Sequence, residues 1–125
     1  MTINEAITMA DEMKPNMMSN AVKVRFLNEI EGKVHAEVIM KHVHSPEAED
    51  PPIYDVNTDQ GTQMLVPAPY DMLYVYWIMA QIDHLNQEMD KYNNDRSLFE
   101  NAWGNFTDWW NREHMPLSAR RYIHI

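Results

Sequence analysis

Hydrophobic positions recur at helical spacing in four stretches of this chain, and residues 66–94 are the most apolar of them. Residues 72–80 are apolar at every position, so a helix there needs cover on all sides. After Gln81 the pattern becomes one-sided, because apolar side chains then recur only at steps of three and four, up to Tyr92. The pattern predicts one long central helix that ends near Tyr92 and holds Pro69 in its first turn.

Two helices are predicted before the central one. Residues 2–5 read T-I-N-E, a capping box that marks a helix start, and Pro15 stops that helix within about three turns. A second apolar stripe covers residues 22–38, and Ser19 or Asn20 can cap it. The chain therefore begins with a short helix and a longer one.

A last helix is predicted after the polar run at 92–95. Asn94 or Asp95 can cap it, and aromatic and apolar side chains follow at steps of one, three and four over residues 98–110. Because the connection is short, this helix and the central one are expected to form an antiparallel hairpin over residues 69–112.

Residues 43–67 break the helical pattern. Five of the seven prolines lie in this segment or at its edge, and its acidic residues meet no Lys or Arg. Two short pieces, 53–56 and 63–66, flank a turn signal and could pair as a small β-hairpin. A loop of this length either contacts a partner or is simply a solvated surface loop.

The expected fold is therefore all-α, a small bundle of about four helices with a central antiparallel hairpin. Residues 1–112 form the helical domain, with the acidic, proline-rich loop at 43–67 inside it. Residues 113–125 form an extended C-terminal arm that is too apolar and basic for a merely solvated tail. The candidate docking residues of this arm are Met115, Arg120, Arg121, Tyr122, Ile123 and Ile125.

The charge of the chain argues against direct nucleic-acid binding. The formal net charge is -9, whereas sequence-independent binding to DNA or RNA needs clustered Lys and Arg. The chain has no Cys, which excludes disulfides and thiolate metal sites. The apolar run at 72–80 is too short to cross a bilayer, which takes about 20 residues, so a soluble protein is expected.

Candidate chemistry is sparse. His42 and His44, with His35 before them and Glu47 after them, are the best metal candidates, although imidazoles two residues apart suit a ligand pair only in extended chain. The sequence lacks Cys and a G-x-S-x-G motif, and its serines sit at probable caps or loops. We expect no catalytic residues, no resident metal and no cofactor.

Six segments of the chain together resemble one protein family. They are T-I-x-E-A at 2–6, K-P-N at 14–16, L-x-E-I-E-G-K-V-x-x-E-V at 27–38, L-V-P-A-P-Y-D-x-L-Y at 65–74, D-K-Y-N-N at 90–94 and F-x-x-W-W-N-R-x-H-M-P at 106–116. In wording and order they resemble the head-tail connector (adaptor) proteins of long-tailed double-stranded DNA bacteriophages and prophages. The likeness spans nearly the whole chain.

The resemblance implies a structural virion protein that assembles as a ring, commonly of twelve copies, beneath the portal at the head-tail junction. Its partners would be further copies of itself, the portal and the next neck or stopper protein, and DNA would pass through the channel without specific binding. Carried over by position, residues 115–125 would face the portal. Residues 43–67 would face neighbouring subunits, the next ring or the channel.

The central helix supplies the candidate contacts between copies, because its surplus apolar side needs a neighbour. The candidate subunit-interface residues are Tyr70, Tyr74, Tyr76 and Trp77. A rival interpretation is a small acidic inhibitor or DNA mimic that occupies the groove of a DNA-binding protein. That rival predicts acids spread along a rigid face, whereas here they concentrate in the loop.

Overall fold

Four α-helices form the body of the computed structural model, which describes residues 1–117. They are α1 (Ile3–Met13), α2 (Asn20–Glu37), α3 (Met72–Leu85) and α4 (Met89–Glu113), and two short 3-10 helices at Ile39–Lys41 and Pro46–Ala48 follow α2. This architecture confirms the predicted all-α bundle with a central hairpin, formed by α3 and α4.

The first two helices begin where local capping signals place them. The Thr2 hydroxyl accepts from the backbone N–H of Glu5 at 3.1 Å, and the Glu5 carboxylate accepts from the Thr2 N–H at 3.4 Å, which completes the capping box. At the start of α2 the Ser19 hydroxyl accepts from the N–H of Val22 at 3.4 Å. Each bond satisfies an N–H group that has no partner inside its helix.

Helix α3 lies at the centre of the bundle and packs against α4, α1 and α2. Its fully buried side chains include Leu73, Tyr74, Val75 and Ile78. The surplus apolar surface of the central helix is therefore largely covered within one chain, and a second copy is not needed to keep it from water.

The turn between α3 and α4 lies earlier than the sequence predicts. Helix α3 ends at Leu85, and Gln87 has a φ of 58° before α4 begins at Met89. The predicted helix end near Tyr92 and the predicted caps at residues 94 and 95 are therefore wrong. The polar run at 92–95 lies inside α4, and the left-handed residue that ends α3 is neither Gly nor Asn, so no sequence signal marks it.

The start of the central helix also differs from the prediction. Helix α3 begins at Met72, with Asp71 as its N-cap residue, so Pro69 lies before the helix and not in its first turn. The Ala68–Pro69 peptide bond is cis. Residues 66–71 thus form a connection of their own, anchored by Val66, which is fully buried.

The predicted β-hairpin in the acidic loop is wrong. Residues 53–56 and 63–66 do not pair, and Gln63 instead forms an isolated antiparallel bridge with Thr2. Local turn signals favoured a hairpin, but the exposed backbone at the start of α1 offers the loop better partners.

Loop carbonyls complete the first turn of α1. The N–H of Ile3 donates to the carbonyl of Thr62 at 3.2 Å, and the N–H of Asn4 donates to the carbonyl of Gln60 at 2.9 Å. These N–H groups lack acceptors within the helix. The loop therefore forms backbone hydrogen bonds with the start of α1 instead of pairing with itself.

A buried carboxylate ties the acidic loop to two helices. Glu31 on α2 is fully buried and accepts from the hydroxyl of Tyr54 at 2.7 Å, from the N–H of Leu65 at 3.0 Å and from the hydroxyl of Tyr74 at 2.5 Å. Burial raises the pKa of Glu31 above its ordinary value, while the hydrogen bonds it accepts act in the opposite direction. Glu31 thus contacts the loop at its middle, through Tyr54, and near its end, through Leu65.

Replacing Gln87 by Gly should stabilise the protein. A left-handed residue with a side chain costs roughly 1 kcal/mol, so we expect a gain of about 0.5 kcal/mol in the free energy of unfolding after the greater freedom of unfolded Gly is included. The matched control is Asn86→Gly, where φ is -84° and stability should fall. Urea denaturation measures both, and a Gln87→Gly variant less stable than the native chain would contradict the turn geometry.

The contribution of Glu31 to stability should decline as pH rises. Because its folded pKa lies above the unfolded value of 4.5, the folded chain holds the proton more tightly than the unfolded one, and raising the pH between the two pKa values favours unfolding. The contribution is full below the unfolded pKa and is lost as pH rises through the folded pKa. As pH rises, the free energy of unfolding of the native chain should therefore fall relative to that of Glu31→Gln, by at most about 1.4 kcal/mol per pH unit.

Urea unfolding of both proteins across pH 4.5 and upward to neutrality measures this difference. Other titrating groups are common to both chains and cancel. A difference that stays flat, or that shifts in favour of the native chain with rising pH, would show that the carboxyl group is not held in its buried site.

Candidate contact surfaces

Tyr74 is not a contact between copies. It is fully buried, its hydroxyl donates to Glu31, and its oxygen accepts from the N–H of Val66 at 2.9 Å. Burial and the neighbouring Glu31 carboxylate raise its pKa. The prediction that Tyr74 anchors a neighbouring subunit is therefore wrong, because the side chain has no surface left to offer.

The other three predicted interface residues are half-buried against their own chain. The ring of Tyr70 stacks on Trp109 with centroids 4.9 Å apart. The indole N–H of Trp77 donates to the carbonyl of Phe26 at 2.9 Å, and Tyr76 packs at the edge of the core. These residues keep part of their surface, so their contact with a second copy stays a prediction.

The base of the C-terminal arm is bonded to the segment that follows α2. The N–H of Val43 donates to the carbonyl of Met115 at 2.8 Å, and His42 forms an antiparallel bridge with Pro116. Met115 remains 47% exposed. The rest of the predicted docking set lies outside the described residues: Arg120, Arg121, Tyr122, Ile123 and Ile125.

Aromatic rings reinforce this junction. The ring of His114 stacks on Trp110, with centroids 3.7 Å apart and planes 6° from parallel. Buried His42 places Nδ1 2.6 Å from the carbonyl of Val38 and Nε2 2.8 Å from the side-chain oxygen of Asn111. The aromatic stripe is visible in the sequence, but the contacts of His42 with His114 and Asn111 are not, because they form only when α4 returns beside the end of α2.

The predicted metal candidates do not come together. Nε2 of His35 lies 2.7 Å from the carbonyl of Ala48, and His44 pairs with the Glu49 carboxylate at 2.8 Å. Within residues 1–117 no three His, Asp or Glu side chains are placed to hold a metal ion. The histidines instead hold the start of the loop and the base of the arm.

The acidic loop carries two strongly exposed apolar side chains. Ile53 is 76% exposed and Val56 is 62% exposed. Tyr54 between them is buried, and its N–H donates to the side-chain oxygen of Asn28 at 3.1 Å. We call residues 47–56 the outer strip. The acids and prolines of the sequence mark this segment as a loop that could contact a partner. Only the anchoring of Tyr54 shows which of its side chains point outward.

A second apolar surface, which we call the methionine-rich surface, lies at the opposite end of α4 from the arm. Met13, Met17, Leu85 and Met89 are all at least half exposed there. The ammonium of Lys14, within 3.2 Å of the Asp95 carboxylate and closer still to that of Asp83, holds the end of α1 against the α3–α4 turn. Burial and the neighbouring Asp95 raise the pKa of Asp83.

Comparison of the sequence with protein-family models, with curated proteins and with solved structures gives no match. Among residues 1–117 no helix has the length and apolar character to span a membrane.

Tyr74 and Tyr76 provide a matched pair for testing these placements. Tyr74→Phe removes a donor from a buried carboxylate and should lower the free energy of unfolding by about 1.5–3 kcal/mol. Tyr76→Phe removes the same atom from a half-buried side chain and should change stability by no more than about 0.5 kcal/mol. Urea denaturation measures both, and equal effects would contradict the assignment of Tyr74 to the interior.

Proposed function

We propose that this protein is a structural head-tail connector (adaptor) of a long-tailed double-stranded DNA bacteriophage or prophage. Several copies form a ring beneath the portal and join the DNA-filled head to the tail. The resemblance of six segments along the chain suggests the family. The observation that carries the proposal is an all-α body on which a long acidic loop is held in place by a buried carboxylate, since an ordered exposed loop suits contact with other subunits.

The distribution of surfaces supports a role in contact rather than chemistry. The arm leaves the body beside His42, and the methionine-rich surface lies at the far end of α4, which spans about 36 Å for 25 residues. A connector needs separate contacts above and below its own ring. In this proposal the arm, residues 115–125, faces the portal, and the other end faces the next neck or stopper protein.

The charge of the body suits a DNA channel. All nineteen acidic residues lie in residues 1–117, together with only eight of the ten basic ones. A channel wall with such an excess of carboxylates repels the DNA backbone and lets the duplex slide without binding. The ring would therefore guide DNA and make no specific contact with it.

Native mass measurement and negative-stain images, with and without portal, test the assembly. We expect a closed ring when portal is present. A protein that remains monomeric and does not bind portal would contradict the connector proposal. A monomer or dimer that instead binds a DNA-binding protein would favour the acidic DNA-mimic interpretation.

Reversing the charge of the arm should abolish attachment to portal. In the variant with Arg120→Glu and Arg121→Glu, two cations that are expected to meet an acidic portal surface become anions, so like charges oppose each other across the contact. Co-sedimentation with portal measures binding, and circular dichroism checks that the helical body is unchanged. Co-sedimentation equal to that of the native chain would refute the role of the arm.

A further inference from the structure

The outer strip displays apolar side chains in a fixed orientation. Tyr54 is anchored on both sides, because its hydroxyl donates to Glu31 and its N–H donates to Asn28. This anchoring turns Ile53 and Val56 outward, where they are 76% and 62% exposed. Exposed apolar groups on an anchored loop indicate a contact surface more strongly than the same groups on a free one.

The apolar groups of the outer strip are flanked by carboxylates that have no cation in their own segment. Residues 43–67 contain neither Lys nor Arg, and Glu47 and Asp50 are exposed. Among the described residues, the one ion pair inside this segment joins Glu49 to His44. The strip therefore presents an apolar and negatively charged surface.

The last residues of the chain have the inverse chemistry. Residues 120–125 read R-R-Y-I-H-I, in which two adjacent arginines precede three apolar or aromatic side chains. Both arginines follow residue 117, whereas every acidic residue precedes it. Lys23 and Arg25 also lie among apolar side chains, but that stretch is part of α2 and Lys23 is buried. The arm is therefore the segment whose charge and apolar content best complement the outer strip.

The base of the arm points away from the loop of its own chain. Because His42 and Pro116 pair in antiparallel fashion, the chain runs from Met115 to Pro116 in the direction opposite to that from His42 to Val43. The loop begins in that forward direction. The described base of the arm therefore runs away from the course of its own loop, which favours an outer strip on another copy.

We propose that residues 120–125 of one copy bind the outer strip of an adjacent copy. Arg120 and Arg121 face the carboxylates of the strip, and the isoleucines of the arm pack on Ile53 and Val56. The contact is heterologous, so each copy uses one arm and one strip, which is the type of contact that generates a ring or an open chain.

The contact between copies does not require the proposed function, but its competition with portal does. The arm is also the segment proposed to face the portal, so the outer strip of an adjacent copy and the portal compete for it. In the absence of portal the arms are engaged between copies, and portal binding releases the outer strips.

Sedimentation velocity of the full-length chain without portal tests the contact. The native chain should self-associate at about 20 mM NaCl and dissociate at about 500 mM, since salt screens exposed charges over a few ångströms. Two charge-reversal variants, E47K/D50K and R120E/R121E, should each weaken association by at least about tenfold. Asp55 is left unchanged because its carboxylate caps its own turn through the N–H of Asn57.

An equimolar mixture of the two variants provides the decisive result. Each arm then finds an outer strip of opposite charge, so association should return to the native level. The matched control is E12K/D108K, which makes the same change in net charge at exposed positions outside the strip and should associate as the native chain does. The variant I53S/V56S should weaken association without altering its salt dependence.

Failure of the mixture to associate would overturn the proposal, as would a native chain that stays monomeric at low salt. If that monomer shows a shift of the Ile53 methyl resonance on introducing R120E/R121E, the arm binds its own strip and the contact between copies is refuted. Portal binding separates this inference from the proposed function. E47K/D50K should still co-sediment with portal, and a protein that self-associates but ignores portal would refute the connector role alone.

Discussion

The carboxylate of Glu31 is the interaction on which the organisation of the chain depends. It lies fully inside the protein, where an unpaired charge would be strongly unfavourable. Two tyrosine hydroxyls and one backbone N–H donate to it, one from α3 and two from the loop. Because removal of any donor would leave a buried acceptor less satisfied, the loop, α2 and α3 are fixed relative to one another.

The central position of α3 leaves little of its surface for contacts with other molecules. A helix with nine consecutive apolar residues suggests an interface when it is considered alone. Within the bundle it is enclosed by three other helices, and Tyr74 belongs to the interior. The surfaces that remain are the outer strip, the half-buried rings near Tyr70, the methionine-rich surface and the arm.

The charge of the chain is divided between a negative body and a positive arm. The proposed connector ring and the proposed contact between copies both use it. A charge-based contact between copies is readily exchanged for a stronger one, because exposed ion pairs contribute little individually. This property suits a component that meets its partners in a fixed order.

The sequence by itself determined the helical class, the capping of α1 and α2 and the charge of the loop. These depend on residues a few positions apart, such as Thr2 and Glu5, whose interactions form wherever the segment becomes helical. The tertiary structure decided the turn at Gln87, the attachment of the loop to α1 and the burial of Tyr74. Those outcomes depend on partners distant in sequence, as with Glu31 and Tyr74, which are 43 residues apart, and local pattern carries no information about which distant groups will meet.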